Sequence, residues 1–508
     1  MGHRVPRLCS PEAGAPGINV KSWPGPGNPA GLGRPRQSCA VLPRPRTVLR
    51  PCGARLVCLR PGDLYGILRN AQQALQAGRP PWEQDVPGCN GRSWSTGGNV
   101  STRARAGGPP PAGLEGAVVR PTHRLVGIDA ARGLALVGLM AIHLLPAWNE
   151  ETGEASWSWR LFSGDSAALF ALLAGVGLAL TSGGRHPHEG RTMAADRIGL
   201  VVRALLIAIV GLGIGTLMSE DPPAYNILIY YGVFFLLAIP FLHAGPKVLF
   251  ICAALFGVVS PMLMQGLQDG LPAFVSYNPT FTDLLTQPGA TASQLLLTGT
   301  YPALPYMTYL LVGLGLGRLN LRRTEVQARL VVVGVGLAIF AQTTSYVLLY
   351  AFNGYQRLLE ASSMGEHELD DVLVWGPDSL PTETVWWLAI ATPHTNTPVA
   401  IAASLGVSLA VLGVFLLISP KIGAWLLPLS AMGVMTLTLY TAHLVALSFE
   451  VHYELPYLWF MVHLAVAALF AVAWHRGVGQ GPLEKVVSTS VKGTRRLVLG
   501  RPAKNGHG

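Results

Sequence analysis

Long apolar stretches separated by short polar connections dominate the chain from about residue 126 to residue 474. Each stretch approaches the about 20 residues that one helical crossing of a bilayer requires. The pattern predicts an all-α, polytopic integral membrane protein with about ten transmembrane helices, because a spanning segment must satisfy its own backbone hydrogen bonds. The predicted spans are residues 126–146, 166–182, 199–218, 225–242, 247–266, 301–318, 328–352, 397–419, 424–448 and 456–474.

The distribution of lysine and arginine predicts how these spans are oriented. With a cytoplasmic N-terminus, nearly all basic residues of the membrane part fall on the cytoplasmic side, and the opposite side holds only Arg160 and Arg357. This asymmetry predicts that both termini are cytoplasmic. A multi-pass protein of the plasma membrane, with the lipid bilayer as its main partner, is the expected localisation.

Composition supports a membrane protein and argues against a nucleic-acid partner. Half of the 508 residues are hydrophobic and 13% are charged. The net charge of +10 arises in residues 1–122, which contain 16 Lys and Arg against 5 Asp and Glu. This leader is rich in Pro, Gly and Arg and is expected to be disordered. We favour the interpretation that it reflects an upstream start assignment, with translation beginning near Val100. Residues 123–476 would then be the transmembrane domain, and 477–508 a basic cytoplasmic tail.

The cysteines do not predict a metal site. Five of the six lie in the leader, without the spacing of metal ligands, and only Cys252 lies in the membrane part. The zinc signature HExxH is also absent from the sequence. We therefore expect no metal.

The first predicted span carries three ionisable residues on one stripe. At 100° per residue, Asp129 and Arg132 lie about 60° apart, and His143 falls about 20° from Arg132 and about 16 Å further along the axis. Such groups within a span usually face the protein interior and mark function. Asp129 and Arg132, at the cytoplasmic end, are therefore candidates for binding a nucleotide-like cofactor. The alternatives are that Asp129 caps the helix and Arg132 anchors its orientation.

A second set of candidates lies at the predicted outer end. His143 ends the first span, Asp165 opens the second, and Glu154 lies between them. A carboxylate beside a histidine orients the ring and raises its basicity, so these groups predict a general base in one pocket. The alternative is that Asp165 caps its helix and His143 lies in the membrane interface.

Further polar residues are expected near the same pocket. His394 in TPHTNTP and His443 in LYTAHL are the weaker catalytic candidates, and Tyr301 and Tyr306 are expected at its mouth. His463 is expected to be an interior histidine with its hydrogen bonds satisfied. The glycines of VGLGLGRL and Gly177 are expected to allow close helix packing rather than phosphate binding.

The segments RLVGIDAARGLALVGLMAIH and SGDSAALFALLAGVGLAL resemble the start of the heparan-alpha-glucosaminide N-acetyltransferase-like membrane proteins. YPALPYMTYLLVGLGLGRL, ATPHTNTPVAIAASLGVSLAVLG and LTLYTAHLVAL are similar to later segments of the uncharacterised bacterial branch of that family. The resemblance extends over about residues 120–475. It implies acyl transfer from cytoplasmic acetyl-CoA, or another acyl-CoA, to an amine or hydroxyl on the far side of the membrane.

One position departs from the family pattern. In the lysosomal members a histidine in the first outer loop carries or relays the acetyl group, whereas the matching stretch here reads EASW, with Glu154 near that place. His143 or His394 would then serve instead, or a histidine would act as base in a ternary complex. Asp165 and the Asp129–Arg132 pair match the motif.

The leading hypothesis is an acyltransferase that acts on a sugar or another polar envelope acceptor. His143 would be the base or acyl relay, oriented by Asp165. The alternatives are a transporter or exporter with a histidine-lined path, and a non-catalytic scaffold. The acceptor and any homo-oligomerisation are left open by the sequence.

Overall fold

The computed structural model describes residues 125–272, 274–377, 379–451 and 453–500. Within these ranges the chain forms helices and no β-sheet, with one isolated bridge between Trp148 and Ala155. The predicted all-α class is confirmed. The predicted leader, residues 1–122, lies outside the described residues.

Seventeen α-helices of very different lengths make up the described chain. They are α1 (Val126–Leu144), α2 (Trp157–Phe162), α3 (Asp165–Thr181), α4 (Gly190–Gly215), α5 (Leu228–Ala238), α6 (Pro246–Leu267), α7 (Phe281–Thr286), α8 (Pro288–Ser293), α9 (Ala303–Gly317), α10 (Thr324–Tyr346), α11 (Gly354–Ala361), α12 (Glu366–Trp375), α13 (Pro398–Ile422), α14 (Leu427–Val434), α15 (Thr436–Leu447), α16 (Pro456–Gly477) and α17 (Pro482–Leu499). Short 3₁₀ or π turns extend several of them, including Val347–Ala351 after α10 and Val385–Ala389 before α13.

Each of the ten predicted spans coincides with apolar helix. Seven helical segments of the described chain are long and apolar enough to cross a membrane, and α14 with α15, bent by 85°, would make an eighth. The two remaining segments, Leu228–Phe241 and Ala303–Gly317, are apolar but shorter. The chain is thus a multi-pass membrane protein. The count of ten crossings and the cytoplasmic termini stay predictions.

Three pairs of helices meet backbone to backbone at glycines. A Cβ atom at Gly175 of α3 would collide with the carbonyl of Leu310 in α9, and one at Gly313 of α9 with the carbonyl of Leu172. Reciprocal collisions of the same kind pair Gly334 of α10 with Gly406 of α13, and Gly133 of α1 with Gly433 of α14. Small residues at such positions allow helices in a membrane to approach closely. The expected packing role of the glycines in VGLGLGRL therefore holds at Gly313.

A buried arginine joins the ends of three helices. Arg318, which follows α9, donates to the carbonyls of Ala179 and Gly184 and to the hydroxyl of Ser182, and also bonds the carbonyl of Leu242. The guanidinium stays charged in this buried position, because arginine titrates far above neutral pH. A buried charge needs such partners, so Arg318 fixes the predicted cytoplasmic ends of α3, α5 and α9 together.

The C-terminal segment forms α17, which packs along α4. Arg495 forms an ion pair with Asp196 of α4, whose other carboxylate oxygen is 2.6 Å from Nδ1 of His188. At the start of α17, Glu484 accepts hydrogen bonds from the backbone and hydroxyl of Thr438 in α15. The helix therefore links α4 to α15 across the predicted cytoplasmic end.

The glycine contacts predict that one added methyl group lowers thermal stability at a buried contact glycine but not at an open one. Gly313→Ala should lower the midpoint of thermal unfolding in detergent by several degrees, because the added Cβ meets the backbone of α3. Gly336→Ala is the matched control, since nothing lies within 4 Å of its Cβ position on α10. That control should be neutral or slightly stabilising, because alanine favours helix by about 1 kcal/mol over glycine. Equal midpoints for the two variants would contradict the proposed contact.

Candidate functional site

A cavity of about 610 Å³ opens at the end of the bundle where α1 ends and α3 begins, the predicted outer end. Its walls combine aromatic rings with polar and ionisable groups from α2 and the loop before it, from α3, α9 and α12, and from α13 and the loop before it. The lining residues with chemistry are Glu154, Trp159, Arg160, Asp165, Tyr306, Tyr309, Asp371, Trp375, His394 and Ser404. A pocket of this size with a few convergent polar groups is suited to a small polar ligand.

Glu154 is positioned by a tight hairpin between α1 and α2. The backbone N–H of Asn149 donates to the carbonyl of Glu154, and Gly153 turns the chain with a φ of 70°. The Glu154 carboxylate accepts a hydrogen bond of 3.3 Å from Arg160. Both side chains are exposed, so this ion pair lies at the rim of the cavity and contributes little to stability.

Asp165 enters the cavity at the first position of α3. Gly164, at a φ of 74°, is the N-cap, so the interpretation of Asp165 as the cap is wrong. The Asp165 carboxylate is hydrogen-bonded to Ser404 of α13, which is also hydrogen-bonded to Tyr309 of α9. Three helices thus hold a carboxylate and two hydroxyls in one network on the cavity wall.

His394 lies on a loop whose geometry is set by its neighbours. Its φ of 64° and the φ of 55° at Asn396 are in the left-handed region, which side chains other than glycine seldom adopt. Thr395 donates to the carbonyl of Thr392, Asn396 to that of His394, and Thr397 caps α13. Strained backbone held in this way is typical of functional loops.

The imidazole of His394 is kept neutral by its surroundings. Burial lowers the pKa of His394 to about 4, because the charged form loses its hydration. The ring contacts Tyr301 at a centroid distance of 5.9 Å and Trp159 at 6.5 Å. Its Nδ1 is buried without a hydrogen-bond partner among the described residues. A neutral ring with an unsatisfied nitrogen is suited to bind a ligand hydroxyl or amine.

Three histidines form a second cluster. Nδ1 of His143 on α1 is 3.2 Å from Nε2 of His443 on α15, and the two rings stack within 7° of parallel. Nδ1 of His443 is in turn 2.9 Å from Nδ1 of His463 on α16. His143 and His443 therefore lie in contact, and the half-buried His463 is hydrogen-bonded to His443. Because the nitrogens face one another in sequence, the arrangement is a chain rather than a cage around one point.

The hydrogen bonds of the catalytic candidates differ from those expected. That of Asp165 goes to Ser404, and that of His143 goes to His443. The cavity lining includes Asp165, Glu154 and His394, but neither His143 nor His443. Within the described chain the site is thus divided into a cavity and a neighbouring histidine chain.

Asp129 and Arg132 lie at the opposite end of α1. The residue preceding the helix, Leu125, is its N-cap, so the interpretation of Asp129 as the cap is wrong. Asp129 is buried, and its carboxylate is 3.4 Å from Nη1 of Arg132. Nη2 of Arg132 donates to the carbonyl of Leu173 at 3.0 Å. The guanidinium is thereby held between α1 and α3.

The sequence did not single out a second cavity, of about 550 Å³, beside the start of α4. His188, Arg197 and His243 line it, and Nε of Arg197 is buried with no hydrogen-bond partner in the part of the chain that the structure describes. The only signal for it in the sequence was a cluster of basic residues, which the sequence analysis used to predict the orientation of the spans. Tyr309 and Ser404 were also missed, because hydroxyls inside apolar helices do not indicate by spacing what they face.

The fold and these two polar ends define the class of the molecule, a multi-pass helical membrane protein with ionisable groups in its interior. The family model for heparan-alpha-glucosaminide N-acetyltransferase, catalytic, matches residues 124–345. The match confirms the resemblance of this region to the heparan-alpha-glucosaminide N-acetyltransferase-like family and supports a membrane acetyltransferase-type function. No curated protein matches the chain significantly. The match includes Asp129, Arg132, His143 and Asp165, and it ends before His394 and His443.

The environment of His394 predicts a pH-dependent loss of stability. The unfolded chain binds a proton at this residue below its ordinary pKa of 6.5, whereas the folded protein does so only near 4. Its contribution to stability is therefore complete above pH 6.5 and is lost as the pH falls toward 4. In detergent, the midpoint of thermal unfolding of wild type should fall relative to that of His394→Gln as the pH is lowered from 7.5 to 4. A difference between the two midpoints that does not change with pH would show that folding does not hinder protonation of His394.

Proposed function

We propose that the protein transfers an acyl group from acyl-CoA, engaged at the predicted cytoplasmic end, to an amine or hydroxyl of a sugar or similar polar envelope molecule bound in the outer cavity. The observation that carries this proposal is the meeting of His394 and Asp165 in that cavity. The plasma membrane is the expected location. The family match supplies the reaction class, and the chemistry of the two ends supplies the direction.

The cavity suits a polar acceptor with a flat apolar face. Trp159 and Trp375 supply rings on which a sugar can lie, while Glu154, Asp165 and Asp371 supply acceptors for hydroxyl or amine hydrogens. Since water can enter at the exposed Glu154–Arg160 rim, an acceptor from the outer compartment would reach the site directly. The buried network of Asp165, Ser404 and Tyr309 would fix its orientation.

His394 is suited to be the general base of the transfer. The acceptor nitrogen or oxygen attacks the thioester carbonyl, loses its proton to the imidazole, and expels the CoA thiolate as the new amide or ester forms. A neutral ring is required for this step, and burial keeps His394 neutral at pH 7. With Glu154 in place of the histidine of lysosomal members, a direct transfer needs no covalent acyl-histidine. His143, which the family region contains, would assist from the adjoining histidine chain.

The other end of the bundle carries cations suited to the phosphates of acyl-CoA. Arg132 is oriented by Asp129 and by the carbonyl of Leu173, so its guanidinium is fixed for anion binding. The unpartnered Nε of Arg197 and the rings of His188 and His243 offer further donors in the second cavity. These residues fit a phosphorylated donor, and no metal is required by the proposed step.

Radiolabelled acetyl transfer tests the outer site. Purified protein supplied with labelled acetyl-CoA and envelope extract should label an acceptor, and His394→Gln or Asp165→Asn should lower kcat at least about 100-fold, the usual contribution of a general base. Asp221→Asn, at an exposed aspartate that does not line the cavity, is the matched control and should retain activity. Wild-type rates in both cavity variants would overturn the assignment. Flux of a solute without acyl-CoA would instead favour the transporter alternative.

Binding of acyl-CoA tests the inner site. In detergent, acetyl-CoA should raise the midpoint of thermal unfolding of wild type. For Arg132→Gln, the acetyl-CoA concentration that gives half of the maximal increase should be about tenfold higher, because one charge-assisted contact is lost. Arg185→Gln, at an exposed arginine of the same end, should bind as wild type does. The midpoint without acetyl-CoA reports separately on any loss of folding. Unchanged affinity in a folded Arg132→Gln protein would remove Arg132 from the donor site.

A further inference from the structure

The second cavity, of about 550 Å³, has an unsatisfied hydrogen-bond donor in its wall. Arg197, His188 and His243 line this cavity, together with the exposed Glu189. Nε of Arg197 is buried, and no residue in the described ranges of the chain accepts a hydrogen bond from it. A buried polar atom of this kind is usually satisfied by water or by a ligand. An acceptor bound in the cavity would complete the hydrogen bonding of Arg197.

The positive charge of Arg197 is not neutralised by the carboxylates nearest to it in the sequence. Asp196 forms an ion pair with Arg495 of α17, and its other carboxylate oxygen is 2.6 Å from Nδ1 of His188. Glu189 is exposed to water, which screens its charge. Arg197 forms no ion pair with any residue of the described chain. Since the planar donors of a guanidinium match a phosphate group, the cavity is suited to a phosphate anion.

The cavity lies where α4 enters the predicted membrane. The 26 residues of α4 give it a length of about 39 Å, which exceeds the about 30 Å of the hydrocarbon core. The polar residues Arg191, Asp196 and Arg197 come first in this helix. A mostly apolar sequence follows from Ile198 onward. We therefore expect the start of α4, and the cavity beside it, among the lipid headgroups of the predicted cytoplasmic leaflet.

Two stripes of exposed, large apolar side chains begin next to the cavity. They are Ile198, Leu205 and Ile209 on α4 and Val248, Ile251 and Leu255 on α6. At 100° per residue, the three side chains on each helix fall within about 60° of one another. Ala194, which lines the cavity, lies on the same stripe of α4, and His243, which also lines it, comes shortly before α6. Exposed apolar faces of a multi-pass protein contact lipid chains, so lipid chains can run from this cavity along both helices.

We propose that the second cavity binds the phosphate group of an anionic phospholipid of the predicted cytoplasmic leaflet, and that the acyl chains of this lipid lie along the two stripes. Arg197 is the principal donor to the phosphate. The bond of His188 to Asp196, and of Asp196 to Arg495, connects the headgroup site to α17. A bound lipid therefore stabilises the predicted cytoplasmic end of the bundle.

The apolar stripes favour a lipid over a nucleotide in this cavity. The donors of the cavity would also fit a phosphate of acyl-CoA, because the phosphate chemistry is the same. A soluble nucleotide makes no use of the stripes, whereas a phospholipid contacts the cavity and the stripes together. Arg132 does not line this cavity, so it remains the residue proposed for acyl-CoA. The lipid site does not depend on whether the protein transfers acyl groups.

Phosphatidylglycerol tests the proposed site. Dioctanoyl phosphatidylglycerol, added to protein freed of lipid in an uncharged detergent, should raise the midpoint of thermal unfolding. Phosphatidylcholine with the same chains should need an about tenfold higher concentration for half of the maximal increase, because its headgroup has no net charge. For Arg197→Gln, the phosphatidylglycerol concentration at half of the maximal increase should be about tenfold higher than for wild type, because a charge-assisted contact is lost. Arg197→Lys keeps the charge and should fall between the two.

Two soluble phosphates and a control variant identify the source of the phosphate. Glycerol 3-phosphate has no acyl chain and should need an at least about tenfold higher concentration than phosphatidylglycerol, because it buries no apolar surface. Acetyl-CoA should bind Arg197→Gln as it binds wild type. Arg329→Gln, at an exposed arginine of the same predicted end that does not line the cavity, is the matched control and should bind phosphatidylglycerol as wild type does. The midpoint without any addition reports separately on folding.

Several outcomes would overturn the lipid site. Equal concentrations of glycerol 3-phosphate and phosphatidylglycerol at half of the maximal increase would indicate a site for a free phosphorylated compound. Equal concentrations of phosphatidylcholine and phosphatidylglycerol would show that the phosphate charge is not recognised. A folded Arg197→Gln protein that binds phosphatidylglycerol as wild type does, or that loses as much affinity for acetyl-CoA as for this lipid, would also contradict the proposal. None of these measurements uses acetyl transfer, so a lack of that activity would leave the lipid site standing.

Discussion

The contact on which the structure depends most is the close approach of helix backbones at paired glycines. Gly175 and Gly313 join α3 to α9, Gly334 and Gly406 join α10 to α13, and α1 meets α14 in the same way. Lipid is as apolar as the side chains it touches, so burial of apolar surface does little to hold these helices together. Dispersion between closely packed backbones supplies the missing attraction. The contacts of α3 and α9 also place Asp165 and Tyr309 on one wall of the cavity.

The charged groups of the interior follow a simple rule of compensation. Arg318, Asp129 and Asp196 are buried, and each has charged or carbonyl partners. His394 is different, because its unpartnered nitrogen faces a cavity rather than packed protein. A buried polar atom without a partner costs free energy, and proteins tolerate it mainly where a ligand or water completes the bonding. The missing partner alone does not distinguish His394, because Nε of Arg318 is also buried without one among the described residues; the place of His394 in the cavity lining does.

The sequence predicted the helical class and the approximate place of every apolar segment, because hydrophobic length is a local property. It expected His443 near the pocket of His143 and Asp165, whereas His443 contacts His143 outside the cavity lining. It did not predict that Asp165 is bonded to Ser404, or that Asp129 is not the N-cap of α1. Which face of one helix meets which face of another depends on packing between distant segments. The amino-acid sequence of one protein does not show this packing directly. The division into a cavity and a histidine chain has the same origin.

The C-terminal helix α17 makes the order of synthesis matter. Glu484 and Arg495 leave the ribosome after the helices that they contact, and they bond Thr438 and Asp196 on two separate spans. Until these residues are synthesised, α17 cannot join α4 to α15 at the predicted cytoplasmic end. A chain that ended before residue 482 would lack both bonds, and α4 and α15 would lie in the bilayer without being joined on this face.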